Sequence, residues 1–325
     1  MSDAPRHPRD SYHLVGHAEA EAAFLDALGR GRLHHAWMLV GPEGVGKATF
    51  AYRVARKLLG GQGEGLDVPA SDPVSRMISA EAHPDLMVIE RVSEGGRLRK
   101  SISVDQMREL PGFFAKSPSM GGARVAIIDA IDDANVNSAN ALLKSLEEPP
   151  EKGVILLVCH SPGSVLDTIR SRCRKLTFRP MDSDTLIDWL ADAGVERHDA
   201  RELARLSRGA PGAALSAQAR GLLELDALAA GIVEGTVSPS EVLAHSDQLR
   251  RADGQTRFED TFALIQDHIR TRAVSGSDGA RLSERWAALW TEIGELRERA
   301  LALNLDRGEV FQQAVARIRT LAPPS

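Results

Sequence analysis

Five short runs, rich in apolar residues, recur through the first half of the chain and are parted by stretches long enough to hold helices. They are residues 35–41 (HAWMLVG), 85–91 (DLMVIER), 123–130 (ARVAIIDA), 153–160 (GVILLVCH) and 174–178 (RKLTF). Three of them are almost unbroken in apolar character, as strands covered on both faces must be. Strands alternating with helical stretches predict a mainly parallel sheet sheathed in helices, an α/β fold. Residues 60–75, rich in Gly, Pro, Ser and Asp, read as a loop outside the core. After Pro180 the β signal stops. Residues 182–220 predict two or three short helices, and from 222 the pattern is helical to the end. There Trp286, Leu289, Ile293, Leu296 and Ala300 recur at steps of three and four, an apolar stripe that calls for a surface to cover it.

The first apolar run leads directly into GPEGVGKATF (41–50), which opens a helical stretch. Gly41, four residues, Gly46 and Lys47 have the spacing of a phosphate-cradling P-loop, and the strand–loop–helix setting is the one that chemistry needs. Gly41, Gly44, Gly46, Lys47 and Thr49 are therefore the candidate nucleotide-binding residues, with Asp129 at the end of a second apolar strand placed to hold Mg²⁺ through water. Two expected side chains are missing. Ala48 stands where a Ser or Thr hydroxyl would meet the metal, and Ala130 where a glutamate would polarise the attacking water. Thr49 lies about 100° further round the helix. These losses argue against turnover.

Composition narrows the function classes. In 325 residues, 43% hydrophobic and 26% charged, two or three soluble globular domains are expected. A formal net charge of −5 excludes a generally basic nucleic-acid coat. Two cysteines, Cys159 and Cys173, are too few for a disulfide framework or a four-cysteine zinc site, so no zinc and no protein-bound metal site is predicted apart from any Mg that comes with a nucleotide, and both read as small buried apolar residues. The first residues lack the apolar core of a signal peptide and no run of about 18 apolar residues could span a bilayer, so a cytoplasmic protein without a membrane partner is expected.

Three stretches, RLHHAWMLVGPEGVGKATFAYRVA (32–55), NSANALLKSLEEPP (137–150) and TIRSRCRKLTFRP (168–180), resemble the clamp-loader AAA+ proteins of bacterial DNA polymerase III. The resemblance implies a RecA-like AAA+ domain (1–179), a small helical lid (180–221) and a helical collar for oligomerisation (222–325). It implies partners: gamma/tau and delta subunits in a heteropentamer that loads a sliding clamp onto primer-template DNA. It also implies a role for Arg172 of the Ser-Arg-Cys stretch, an arginine finger lent to a neighbour's ATP site. Within the family, Ala48, Ala130 and Gly212, the last standing where ATPase subunits carry a lid arginine, point to the non-hydrolysing end subunit. The alternative is a gamma/tau-type ATPase working through Lys47 and Asp129; an unrelated P-loop kinase or NTPase would make two specific motifs coincidences. The implied cofactor is ATP or ADP with Mg, and the zinc module of many relatives is absent from 60–85.

Other features have plainer readings. His34 and His35 should point apart on an extended chain and serve structure. Asn140, Lys144, Glu147 and Glu148 face either a neighbour or solvent, while Ala141, Leu142 and Leu146 form the inward stripe of a helix ended by Pro149 and Pro150. The cluster GGRLRK (95–100) reads as a solvated hairpin turn, and His160 or Ser161 lies where relatives place a polar residue near the γ-phosphate.

Overall fold

In the computed structural model, which describes residues 7–94, 97–99, 101–120, 122–148, 152–275 and 280–321, all five apolar runs are strands of one sheet. These are β1 (Ala36–Val40), β2 (Leu86–Glu90), β5 (Arg124–Asp129), β6 (Gly153–Cys159) and β7 (Arg174–Thr177). The order is β2-β5-β6-β1-β7 and every pairing is parallel. The burial of each strand explains its place. Every residue of β1 and β6 is buried, so both sit inside the sheet, whereas β2 and β7 each expose residues and lie at the edges. A two-residue hairpin, β3 (Ser93–Glu94) with β4 (Arg97–Leu98), falls where the basic cluster was read as a turn; Gly95, Gly96 and Lys100 lie outside the described residues.

Alternation of side chains divides the core in two. Trp37 and Leu39 face one layer with Val125, Ile127, Leu156 and Phe178, covered by α1 (Ala18–Gly29) and α2 (Lys47–Leu58). Ala36, Met38 and Val40 face the other with Ala126, Ile128 and Leu157, covered by α4 (Val104–Phe114), α5 (Val136–Glu147) and the short α6 (Asp167–Arg170). Side chains start these helices: Asn135 accepts the amides of Asn137 and Ser138, and Ser103 with Gln106 forms a capping box on α4. Along α5, Leu142 and Leu146 are buried as expected, joined by Ala139; Ala141 is only half-buried, and Pro149 and Pro150 lie outside the described residues.

Residues 60–75 depart from the loop reading. Leu66 and Val68 are buried in the core and α3 (Pro73–Ser79) begins within the segment. Arg53, which α2 turns inward together with Arg56, holds the segment in place. Arg53 binds Glu21 and Asp67, which ties the segment down, and Arg56 donates to the Arg9 carbonyl while lying over the Tyr12 ring, 4.3 Å from its centroid. His34 and His35 also depart: their rings stack at 4.4 Å because the chain bends at His35 before the strand begins, and the rings bond to the carbonyls of Ala36 and Leu146.

The chain divides into two compact units between Ser216 and Ala217. Three short helices, α7 (Ser183–Asp192), α8 (Arg197–Ser207) and α9 (Pro211–Ala219), follow the sheet, and α7 and α8 belong to the first unit. The second unit is all helix: α10 (Leu222–Glu234), α11 (Pro239–Leu249), α12 (Gly254–Ser275), α13 (Ala280–Leu303) and α14 (Arg307–Arg319). There α12 packs on α10 and α13, and α11 on α14. All five residues of the α13 stripe are buried within this unit, so the stripe is satisfied by the chain itself. Among the described residues no helix is long and apolar enough to cross a membrane.

Candidate nucleotide cradle and arginine site

The loop between β1 and α2 sits at the carboxyl edge of the sheet, the place where open α/β sheets bind ligands. Gly44 and Gly46 have φ of +76° and +106°, left-handed values that glycine tolerates and that curl the backbone into a nest opening on the start of α2. His17 Nε2 bonds to the Val45 carbonyl at 2.7 Å and fixes the loop from below. Lys47 is only 2% exposed. Its ammonium turns back into the loop, donating to the carbonyls of Gly41 and Pro42, both at 2.6 Å. Burial lowers its pKa to about 8, against the pull of Asp129 and Asp132.

Asp129 ends β5 beside Glu90, its register partner at the end of β2. Burial and then the Glu90 carboxylate raise its pKa to about 6, with Lys47 opposing. Ala48 is half-buried and Ala130 buried, and Thr49 is half-buried on the first turn of α2. At positions 48 and 130 the cradle therefore carries methyl groups and no side-chain oxygen.

Three further contacts shape this edge, one of them at Asp132, which was not singled out in the sequence, and two at His160 and Gly212, which were. The Asp132 carboxylate accepts the amides of His160 and Ser161 at 2.9 and 3.2 Å and so anchors the turn after β6. Its only signal was an acid three residues past the end of a strand. His160 Nδ1 is buried with no hydrogen-bond partner among the described residues, and burial followed by the Lys47 charge lowers its pKa. At the start of α9 the Gly212 amide donates to the Gly44 carbonyl at 2.8 Å, and a Cβ on Gly44 would stand 2.4 Å from the Ala213 nitrogen.

Arg172 lies elsewhere. It precedes β7 by two residues, and Arg174 of β7 pairs in register with Trp37 near the start of β1. The cradle begins at Gly41, four residues further along β1, so roughly 13 Å of strand separates the two levels. The Arg172 guanidinium donates through Nη1 to the Thr168 carbonyl at 2.9 Å and through Nη2 to Glu147 Oε1 at 2.9 Å. Its neighbours are committed to structure: Arg170 binds Asp167 and the Pro162 carbonyl, and Arg174 lies over the Trp37 ring. Cys159 is fully buried and Cys173 half-buried, and burial raises the latter thiol to about 12, which disfavours its thiolate. The structure thus brings Gly41, Gly44, Gly46, Lys47, Thr49 and Asp129 to one edge of the sheet and Arg172 to the other.

A family model described as DNA polymerase III, delta subunit, matches residues 16–182. The chain is 35% identical to DNA polymerase III subunit delta' of Pseudomonas aeruginosa over 209 residues, covering 64% of this chain and 62% of that protein. It is 32% identical to DNA polymerase III subunit delta' of Yersinia pestis over 254 residues, 76% of this chain and 73% of the relative. Similarity to DNA polymerase III subunit tau of Escherichia coli, 28% identity, extends over 98% of this chain but only 48% of that protein. The match therefore spans less than two thirds of the Pseudomonas relative. The chain belongs to the DNA polymerase III delta-prime subunit family.

Proposed function

We propose that this protein is a largely non-hydrolysing subunit of the replicative clamp loader, which lends Arg172 to the ATP site of a neighbouring gamma/tau-type subunit. The reading rests most on one observation: Arg172 stands at the opposite edge of the sheet from the chain's own P-loop and remains part-exposed, at 37%. A guanidinium so placed serves another subunit's phosphate, and a finger supplied in trans is worth about 10³ to 10⁵ in rate. Ala48 and Ala130 add to it, because the chain lacks a metal ligand and a water-polarising acid of its own.

In this reading gamma/tau and delta subunits complete a heteropentamer, and clamp and primer-template DNA are met through that complex. Residues 180–221 act as the lid and 222–325 as the collar. If ATP or ADP is held, the amides of the Gly44–Gly46 nest hold its phosphates, and Lys47 serves only after leaving the carbonyls of Gly41 and Pro42. The retained Lys47, and similarity to tau along nearly the whole chain, favour a second reading as a gamma/tau-type ATPase. Steady-state ATP hydrolysis separates the two. The purified chain alone should show none above background, and complexes carrying Arg172→Ala should assemble but hydrolyse ATP more slowly. Brisk turnover by the lone chain would establish the second reading instead.

A further inference from the structure

Glu147 is the last residue of α5, within the LEEPP stretch, and Arg172 lies just beyond α6 in the Ser-Arg-Cys stretch. The two motifs are 25 positions apart in sequence, yet their side chains meet at 2.9 Å. A guanidinium on a long stem has many rotamers to lose when it docks on a phosphate. Here one terminal nitrogen is bound by the Thr168 carbonyl and the other by the Glu147 carboxylate, so the plane of the fork is set from two sides. Among the described residues, Nε–H and the second hydrogens of both terminal nitrogens have no partner, which leaves them for a ligand. The support is itself anchored: His35 Nε2 bonds at 3.1 Å to the carbonyl of Leu146, beside Glu147, and Asp167 and Thr168 belong to the short helix that Arg170 braces. Glu147 is 52% exposed, and an ion pair so exposed adds little to folding. What it supplies is direction.

We propose that Glu147 is a positioning residue for Arg172: it holds the guanidinium in a ready orientation before the neighbour's phosphate arrives, so that less freedom is lost at the moment of engagement. This rests on the reading of Arg172 as a lent finger. A purely obstructive pair is the opposite case, in which the carboxylate competes with phosphate and its removal speeds the reaction.

Reconstituted complexes with gamma/tau and delta subunits, differing only at these two positions, test it by steady-state ATP hydrolysis. Arg172→Ala defines the part of the rate that depends on the finger. Glu147→Ala should lower that part three- to tenfold through kcat, with KM for ATP, assembly and thermal midpoint unchanged. Glu147→Gln, whose Oε1 still accepts from Nη2, should retain at least half of it. In the Arg172→Ala background neither change should have any further effect. A Glu147→Ala complex as fast as wild type, or faster, would overturn the positioning role while leaving the finger intact. A drop of the same size in the Arg172→Ala background would show that Glu147 acts through another contact. If Arg172→Ala itself runs at the wild-type rate, the lent finger fails and the positioning role with it.

Discussion

The amide of Gly212 donates to the carbonyl of Gly44 at 2.8 Å, joining the first turn of α9 to the tip of the P-loop. Neither residue has room for a side chain. A Cβ on Gly44 would meet Ala213 backbone at 2.4 Å, and one on Gly212 would meet the Gly44 carbonyl oxygen at 2.9 Å. The position where ATPase relatives are expected to carry a sensing arginine is here the seat of a backbone clasp.

Gly44→Ala should therefore destabilise the protein by about 1–3 kcal/mol, through both the collision and the left-handed φ. Gly212→Arg should loosen the clasp and restore no ATPase. Gly29→Ala is the control, since nothing lies within 4 Å of a Cβ there, and its melting temperature should match or slightly exceed wild type. Thermal melts of the three variants decide the matter; an unchanged midpoint for Gly44→Ala would mean the loop yields freely.

Asp129 gives a pH test. Its folded pKa of about 6 lies above the ordinary 3.8, so the folded chain binds the extra proton and gains stability as pH falls from 6 toward 4. At pH 7 the buried carboxylate is a cost. Asp129→Asn should raise stability at pH 7 by about 1–3 kcal/mol, an advantage that shrinks to nothing below pH 4. Urea titrations at pH 7, 5.5 and 4 would show it. A destabilised variant at pH 7 would mean that the attraction to Lys47 outweighs burial.

In the second unit His245 behaves in the opposite sense. It is 5% exposed, its Nε2 bonds to Thr261 Oγ1 at 2.9 Å, and burial followed by the Arg257 charge lowers its pKa to about 4. Below pH 6.5 the unfolded chain takes up a proton that the folded chain refuses, so stability is lost as pH falls from 6.5 toward 4. The loss at pH 5 should be about 2 kcal/mol. His245→Phe keeps a ring against Phe311, 5.0 Å away, and leaves the Thr261 hydroxyl bonded to the Arg257 carbonyl at 2.7 Å. This variant should lose that part of the acid slope in denaturant titrations, and an identical slope would assign it to other groups.

For assembly, the α13 stripe cannot be the contact because it is already covered. The same helix leaves other apolar residues in solvent, Trp290 at 42% and Leu303 at 64% exposure, with Leu305 just beyond it at 41%. If residues 222–325 form the collar, Leu303→Asp with Leu305→Asp should lower incorporation into the complex at least tenfold while leaving the melting temperature within a degree or two. Co-elution with gamma/tau and delta at wild-type levels would move the contact elsewhere.

How much of this was legible in the sequence depended on whether one residue's neighbours were local. The five strands showed because strands buried on both faces must be apolar throughout, and the P-loop showed because its glycines and lysine lie within seven positions. By contrast, α4 carries Pro111 and Gly112, residues that weaken any helical pattern, yet Ser103 and Gln106 cap its start firmly. Leu66 and Val68 sat among turn formers, and only Arg53, reaching from α2 to Asp67, reveals why they are inside. Glu147 could be read as a solvated residue or an interface one; its partner, 25 positions away, could be found only in space. The clasp between Gly44 and Gly212 was invisible for a related reason, since it is made by backbone atoms that every residue shares.

The placement of the cradle and of Arg172 at opposite edges of a parallel sheet gives the first unit a front and a back. Subunits that lent an arginine in this way would meet head to tail through unlike surfaces, and such contacts have no internal reason to stop. If Arg172 is lent and the chain's own cradle turns nothing over, as proposed, a row of neighbours would be read in one direction only, and on this protein it would end.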